Sequence, residues 1–333
     1  MSSKTNILFK ALASEWLAQK SIVIKNSTYV KYKNSLNKHI LPGLGNIKLK
    51  DINNQIMLHY INSKLSISPE NNSKLSNKTV KDMLLIINNI IKYGKKYYPE
   101  ETQPLEIVYP SVPRNEIRVI SRTEQNYLEQ ILYKDMDNVK LGILICLYTG
   151  LRLGEICGLK WEDISLSDET ISVKRTVQRL QTFNQDGGPK TQIYIGTPKS
   201  NTSIRKIPIP CSIIPSINRF YHNGIEGYIL SEDGLSCVDP RTMENKFHTF
   251  FDTAMELCTK DFKYEYKTGE VTFHSLRHTF ATRCVEAGFE VKCLSEILGH
   301  SNVNITLNRY VHSSFQMKRD NMKKLDNLYK IVS

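Results

Sequence analysis

Pro104, Pro110 and Pro113 stand within ten residues of each other in PLEIVYPSVPRNE, between two long stretches whose apolar residues recur at helical spacing. Proline fixes φ and removes a backbone donor, so no helix runs through this segment and an extended connection is expected. The chain therefore reads as two bodies: a helical domain over 1–103, a linker over 104–117 and a larger domain over 118–333. A length of 333 residues suits two domains and leaves each enough core to fold without a disulfide or metal staple.

On the N-terminal side, Ile7, Leu8, Ala11, Leu12, Trp16 and Leu17 follow a helical period, as do Val80, Met83, Leu84, Ile87, Ile90 and Ile91 within Lys78–Tyr98. Between them, KHILPGLGNIKLKDI carries Pro42, Gly43 and Gly45 and reads as a turn-rich connection. Beyond the linker, Ser121 with Glu124 three residues on is a helix-capping pattern. Lys140–Lys160 reads as two apolar helices meeting at Thr149-Gly150. ETISVKRTVQ, KTQIYIGTPK and SIRKIPIP are β-branched and alternating, and predict one small antiparallel sheet over Thr170–Ile209. Helical patterns return from Arg241. The fold class is mainly α with a small antiparallel β-sheet (α+β).

Charge is unevenly distributed. Residues 1–112 hold 16 Lys, no Arg and 7 acidic residues, a surplus of +9 in a chain whose net charge is +12. A basic first third beside a nearly neutral remainder fits a grip on a polyanion, or a plain lysine-rich surface. Lys31, Lys33 and Lys38 are the candidates for DNA-facing charge. The longest apolar run, Ile143–Leu147, is far too short to span a membrane, and the N-terminus lacks a secretory pattern. Seven cysteines, odd in number and never in CxxC, point to reduced thiols in a cytoplasm rather than a disulfide framework or zinc ribbon.

Four separated segments hold polar residues that local structure does not require. TGLRLGEICGL places Arg152 and Glu155 three apart at a helix start, sharing a face. TPKSNTSIRKIPIP carries Lys199 at a hairpin tip. FHSLRHTFATRC puts His274, Arg277 and His278 on one helical face. LGHSNVNITLNRYVH holds His300 and Tyr310. Histidines at i and i+4 can bind zinc, but the Glu of the zincin motif is missing, so no metal site is expected.

In order, Arg152, Glu155, Lys199, His274, Arg277, His300 and Tyr310 fill the pattern of the tyrosine recombinases, the phage-integrase family, which this chain resembles. STYVKYKNSLNKHILPGLGNIKLKDI also looks like that family's core-binding domain at Thr28, Tyr32, His39, Pro42, Gly45, Leu49 and Ile52. The likeness is nearest to integrases of conjugative transposons and temperate phages. Two departures stand out: the His300–Tyr310 gap is ten where nine is commoner, and no separate arm-binding domain is read before residue 5, as expected either of a short integrase or of a sequence from which that domain is missing.

The residue types suit phosphoryl chemistry. Guanidiniums are fixed in charge and bidentate, so Arg152 and Arg277 fit a clamp on non-bridging phosphate oxygens. His300 is assigned as a phosphate donor, and His274 as a donor that also helps proton transfer at the nucleophile. The resemblance implies that Tyr310 forms a 3′-phosphotyrosyl enzyme, that Lys199 protonates the 5′-oxygen, and that Glu155 supports Arg152. The ester stores the bond energy, so neither metal nor ATP nor any other cofactor is needed.

Expected partners are double-stranded DNA at specific recombination sites and three further copies of the chain in a homotetramer on paired sites. A DNA-bending or excision factor is also allowed for, with residence in a bacterial cytoplasm at the nucleoid. Met317, Met322, Leu325 and Leu328 would line a C-terminal helix exchanged between protomers. The alternatives are a type IB topoisomerase, which relaxes DNA without pairing sites, and a non-catalytic DNA-binding regulator.

Overall fold

The structure is a computed structural model that describes residues 6–66, 74–113, 118–183, 189–198, 201–221, 226–261, 269–310, 319 and 322–323. It divides into two compact units, one of 1–115 together with 180–190, the other of 116–179 with 191–333.

The first unit is helical. It contains α1 (Phe9–Ser21), α2 (Asn26–Ser35), α3 (Leu41–Leu44), α4 (Asn54–Leu65) and α5 (Asn77–Tyr97). One π-helical turn over Leu36–Ile40 joins α2 to α3. The expected turn-rich connection is therefore helical through Leu44, and turns begin only at Gly45. Pro42 is accommodated because it lies in the first turn of α3, where a missing N–H costs nothing. Phe9, Leu12 and Trp16 of α1 meet the buried stripe of α5, from Val80 to Ile91. Trp16 stacks on Tyr32 with ring centroids 5.4 Å apart. The described proline-bearing residues 104–113 form neither helix nor strand. They lie against this same core through Leu105, Ile107 and Tyr109, and the Glu106 N–H donates to Asn54 Oδ1 at 2.9 Å.

The second unit begins with α6 (Arg122–Tyr133), α7 (Asn138–Thr149) and α8 (Leu153–Cys157). The capping pattern at α6 forms in both directions: Glu124 N–H donates to Ser121 Oγ at 3.2 Å, and Ser121 N–H donates to Glu124 Oε2 at 2.7 Å. Every residue of α7 from Leu141 to Leu147 is buried, as a helix apolar on all faces must be. Five strands follow: β1 (Ile164–Ser165), β2 (Thr170–Val173), β3 (Thr176–Gln181), β4 (Thr191–Gly196) and β5 (Arg205–Pro208).

The strands make two sheets rather than the single one expected, a three-stranded β1-β2-β5 and a two-stranded β3-β4. β2 pairs antiparallel with β5, Val173 opposite Arg205 and Ile171 opposite Ile207. The β3–β4 pair is thus an excursion between two strands that pair with each other. The remaining helices are α9 (Ile214–Phe220), α10 (Pro240–Asp261), α11 (Phe273–Glu286), α12 (Val291–Leu298) and α13 (Val303–Tyr310). α11 packs on α7, and α12 packs on α13. All seven cysteines are free thiols. Among the described residues no helix is long and apolar enough to cross a membrane.

α7 ends at Gly150, whose φ is +66° and whose N–H returns to the Cys146 carbonyl at 2.9 Å. A Cβ at Gly150 would lie 2.6 Å from Phe280 and 2.9 Å from Leu298. Gly150→Ala is expected to cost about 2–4 kcal/mol, combining left-handed strain with crowding of a packed core. Urea denaturation of the purified protein measures it.

Candidate active site

Two helix ends form the base of the site. The last carbonyls of a helix have no partner within it and carry partial negative charge. At the end of α7, the Gly150 carbonyl accepts from Arg277 Nη1 at 2.8 Å. At the end of α12, the Leu298 carbonyl accepts from Arg277 Nη2 at 2.6 Å and the Gly299 carbonyl from Arg152 Nη2 at 3.1 Å. Gly299 is left-handed, at φ +64°, and the next residue, His300, returns its N–H to the Ser295 carbonyl at 3.0 Å. This Schellman closure explains the LGH sequence physically: glycine permits the turn, and the turn delivers His300. Arg277 is 1% exposed. Burial, then Arg152, pushes its pKa down to about 9, which leaves it cationic at neutral pH.

Arg152 caps α8, and Glu155 reaches back to it. Glu155 Oε2 accepts from the Arg152 N–H at 3.0 Å, and Oε1 from Arg152 Nη1 at 2.7 Å. Glu155 is buried, so this is not the surface ion pair that spacing alone would allow. Its second partner is Arg205 on β5, whose Nη1 and Nη2 donate to the two carboxylate oxygens at 3.2 and 3.0 Å. Arg205 also donates from Nε to the Ile297 carbonyl at 2.5 Å. Burial raises the Glu155 pKa, but Arg205 and then Arg152 outweigh it, and the net shift is downward. One ionised carboxylate thus locks the α8 start to the β5 start.

Three imidazoles line the same region. His300 Nδ1 is hydrogen-bonded to Thr306 Oγ1 at 2.8 Å, which leaves Nε2 for an incoming group. His278 Nδ1 lies 2.6 Å from the Tyr310 hydroxyl. His274 meets His278 edge to face with ring centroids 4.5 Å apart. Desolvation, then Arg277 and Arg152, pushes His300 down to about 3; desolvation, then His274 and Arg309, does the same to His278. His274 keeps an exposed edge, yet partial desolvation and the neighbouring guanidiniums hold it well below the usual imidazole range. All three rings are neutral at pH 7. Tyr310 is 7% exposed, and its burial raises the phenol above its ordinary value despite Arg277 and Arg309.

The structure brings Arg152, Glu155, His274, Arg277, His300 and Tyr310 into one connected group. Lys199 lies outside the described residues, as do Met317, Leu325 and Leu328. In the first unit, Lys31 is paired with Asp82 at 2.8 Å, Lys33 lies 5.7 Å from the Tyr29 ring centre, and Lys38 is exposed. Arg205 and Thr306 were not anticipated from sequence. The signal for Arg205 is its register: in SIRKIPIP it shares the strand face of buried Ile207, and a cation there needs a buried acid. Among the described residues no group of three or more His, Cys, Asp or Glu is placed to hold a metal ion.

Residues 121–317 match the phage integrase family, and 8–65 match the phage integrase N-terminal SAM-like domain. The chain belongs to the phage integrase family. It is a tyrosine recombinase related to transposon and phage integrases. A tyrosine recombinase XerC-like protein of Caldanaerobacter subterraneus subsp. tengcongensis is 29% identical, over 92% of this chain and 79% of that protein. The transposase from transposon Tn916 of Enterococcus faecalis is 32% identical over 55% of this chain, a match spanning 44% of its own length. The fold is that of the Tn1549 transposon integrase solved with transposon right end DNA (TM-score 0.72, 21% identity, 96% of this chain and 100% of that one).

Removing Arg205 takes one of two guanidinium partners from a buried carboxylate and leaves it to Arg152. Arg205→Ala is expected to cost about 3–5 kcal/mol in urea unfolding, and adding Glu155→Gln to recover part of that loss. The pH dependence has a definite sign. His278 and His300 titrate near 3 when folded and at an ordinary 6.5 when unfolded, so the unfolded chain binds more protons in between. Stability is therefore complete above 6.5 and falls as pH drops toward 3, with Glu155 adding to the loss below 4.5. Urea midpoints measured from pH 7 to pH 4 should decline, and less steeply when both histidines are replaced by Asn.

Proposed function

We propose that the chain performs site-specific strand exchange in double-stranded DNA with Tyr310 as nucleophile, as an integrase of a mobile element. The observation that carries this is the grouping of a buried tyrosine with two backbone-anchored guanidiniums and three neutral imidazoles. Such a set is suited to an anion that gains charge as it reacts. Arg152 and Arg277 keep unspent N–H groups for the non-bridging oxygens, and their anchoring to carbonyls means little reorganisation at the moment of reaction. With Nδ1 occupied by the Thr306 hydroxyl, His300 turns Nε2 to the phosphate, and donates from it in the tautomer in which Thr306 donates to Nδ1. His274 supplies a second donor.

Attack by the Tyr310 oxygen gives a 3′-phosphotyrosyl enzyme and a 5′-hydroxyl, with Lys199 protonating the departing oxygen. Reversal on a second strand completes the exchange without metal or ATP. Glu155 positions Arg152. The 1–103 domain, with its lysine surplus and Lys31, Lys33 and Lys38, grips phosphates, and the 118–333 domain carries the chemistry. The active assembly is a homotetramer on paired sites, working in a bacterial cytoplasm at the nucleoid with a bending or excision factor as accessory. A Lys31 committed to Asp82 must give up that pair to reach a phosphate, so Lys38 is the more available of the two.

The test uses nicked duplexes of randomised sequence, incubated in EDTA without ATP and resolved in SDS. Wild type should form a covalent adduct and Tyr310→Phe none. Arg277→Ala should slow adduct formation on the order of 10²–10³-fold. Salt-sensitive DNA binding with no adduct from wild type would favour the non-catalytic regulator instead.

A further inference from the structure

Three consecutive carbonyls at the end of α12 each take one guanidinium. The Ile297 carbonyl accepts from Arg205 Nε at 2.5 Å, the Leu298 carbonyl from Arg277 and the Gly299 carbonyl from Arg152. The recombinase reading puts Arg152 and Arg277 on the phosphate and assigns Arg205 no part.

Arg205 opens β5, opposite Val173 of β2, on the strand face that carries buried Ile207. That register turns its side chain inward. The side chain is 6% exposed, against 34% for Arg152. Its Nε, Nη1 and Nη2 all donate to acceptors within the protein, Nη1 to the Ser203 carbonyl as well as to Glu155. A guanidinium so enclosed is not placed to meet a phosphate.

The Arg152 guanidinium, by contrast, is tied at two atoms and open beyond them. Nη1 donates to Glu155 Oε1 at 2.7 Å and Nη2 to the Gly299 carbonyl at 3.1 Å. Arg205 reaches both ties. It donates to both oxygens of Glu155, and it bonds the Ile297 carbonyl two residues before Gly299. It also packs directly against Gly299, where an added Cβ would lie 3.1 Å from Arg205 Cδ and Nη1.

We propose that Arg205 is the positioning residue of Arg152: it holds both groups to which that guanidinium is tied, and so sets how Arg152 meets a non-bridging phosphate oxygen. This rests on the recombinase reading. A buried ion pair is a poor source of stability, since apolar residues of like volume often replace it without loss. What the rigid fork of an arginine supplies is direction. Glu155 cannot turn, and the Gly299 turn cannot slide, without breaking contacts to the same side chain. A displacement of about 1 Å at a reacting centre can cost on the order of 10²-fold in rate.

Arg205→Lys separates placement from charge, because lysine keeps a cation beside Glu155 and loses the fork. In the adduct assay on randomised nicked duplexes, in EDTA with protein saturating, this variant should form adduct about tenfold more slowly than wild type. Its gel-shift affinity for the same duplexes should stay within twofold. In an Arg152→Lys background, where the placed group is already gone, adding Arg205→Lys should slow the adduct by less than twofold. A loss under threefold in the single variant, a matching fall in affinity, or the same loss in the Arg152→Lys background overturns the assignment. If urea midpoints show Arg205→Lys to be poorly folded, Glu155→Gln with Arg205→Met takes its place in both comparisons, since it leaves no buried charge.

A wild-type lane without adduct counts against the recombinase reading itself. The assignment is then decided on the DNA-free protein by ¹⁵N spectra of its arginine side chains. Held at both ends, the Arg152 guanidinium rotates slowly and gives separate Nη1 and Nη2 resonances, which Arg205→Lys should merge. Resonances that stay separate overturn it.

Discussion

The site depends on guanidiniums bound to the spent ends of helices. A buried arginine would be prohibitive without partners, and a helix C-terminus offers carbonyls that have none. Each need satisfies the other. Arg277 draws on the ends of α7 and α12 at once, so it also pins two helices that approach from distant parts of the sequence. Glu155 extends the arrangement by joining Arg152 to Arg205, two residues before Ile207 on the same strand face. The placement of these guanidiniums is therefore built into the fold by helix ends and one carboxylate.

Legibility from sequence followed the range of the interaction. The Ser121–Glu124 cap, the α5 stripe and the Gly150 turn are decided within a few residues, and each was readable. The two-sheet arrangement was not, because β2 pairs with β5 across the whole β3–β4 excursion and alternation within a strand says nothing about its partner. Pro42 misled for a related reason: proline marks a break in a helix interior, but after a π turn it occupies a new first turn. In the site, the ordered pattern of Arg152, Arg277, His300 and Tyr310 was legible as a set. Arg205 was hidden because a lone arginine in a strand looks like surface, and its buried acid lies 50 residues away.

His278 shows a different limit. Its position on the His274 face was plain from helical spacing, yet spacing could not say which imidazole meets the tyrosine. That is decided by how α13 packs against α11. Burial first, and then the neighbouring guanidiniums, keep the His300 and His278 imidazoles neutral, and neutral rings can accept as well as donate.

The two kinds of attachment differ in how they come apart. The arginines are tied to main-chain carbonyls, which do not titrate. The side chains of α13, among the described residues, are tied to the rest of the site by two hydrogen bonds, Tyr310 to His278 and Thr306 to His300, each ending on an imidazole. Helix α13 is thus fastened through rings that can take up a proton, while the arginines are held by groups that cannot. A proton arriving at either ring turns its Nδ1 into a donor toward α13 and leaves the arginine–carbonyl contacts as they were, so acid acts on one set of fastenings and passes over the other.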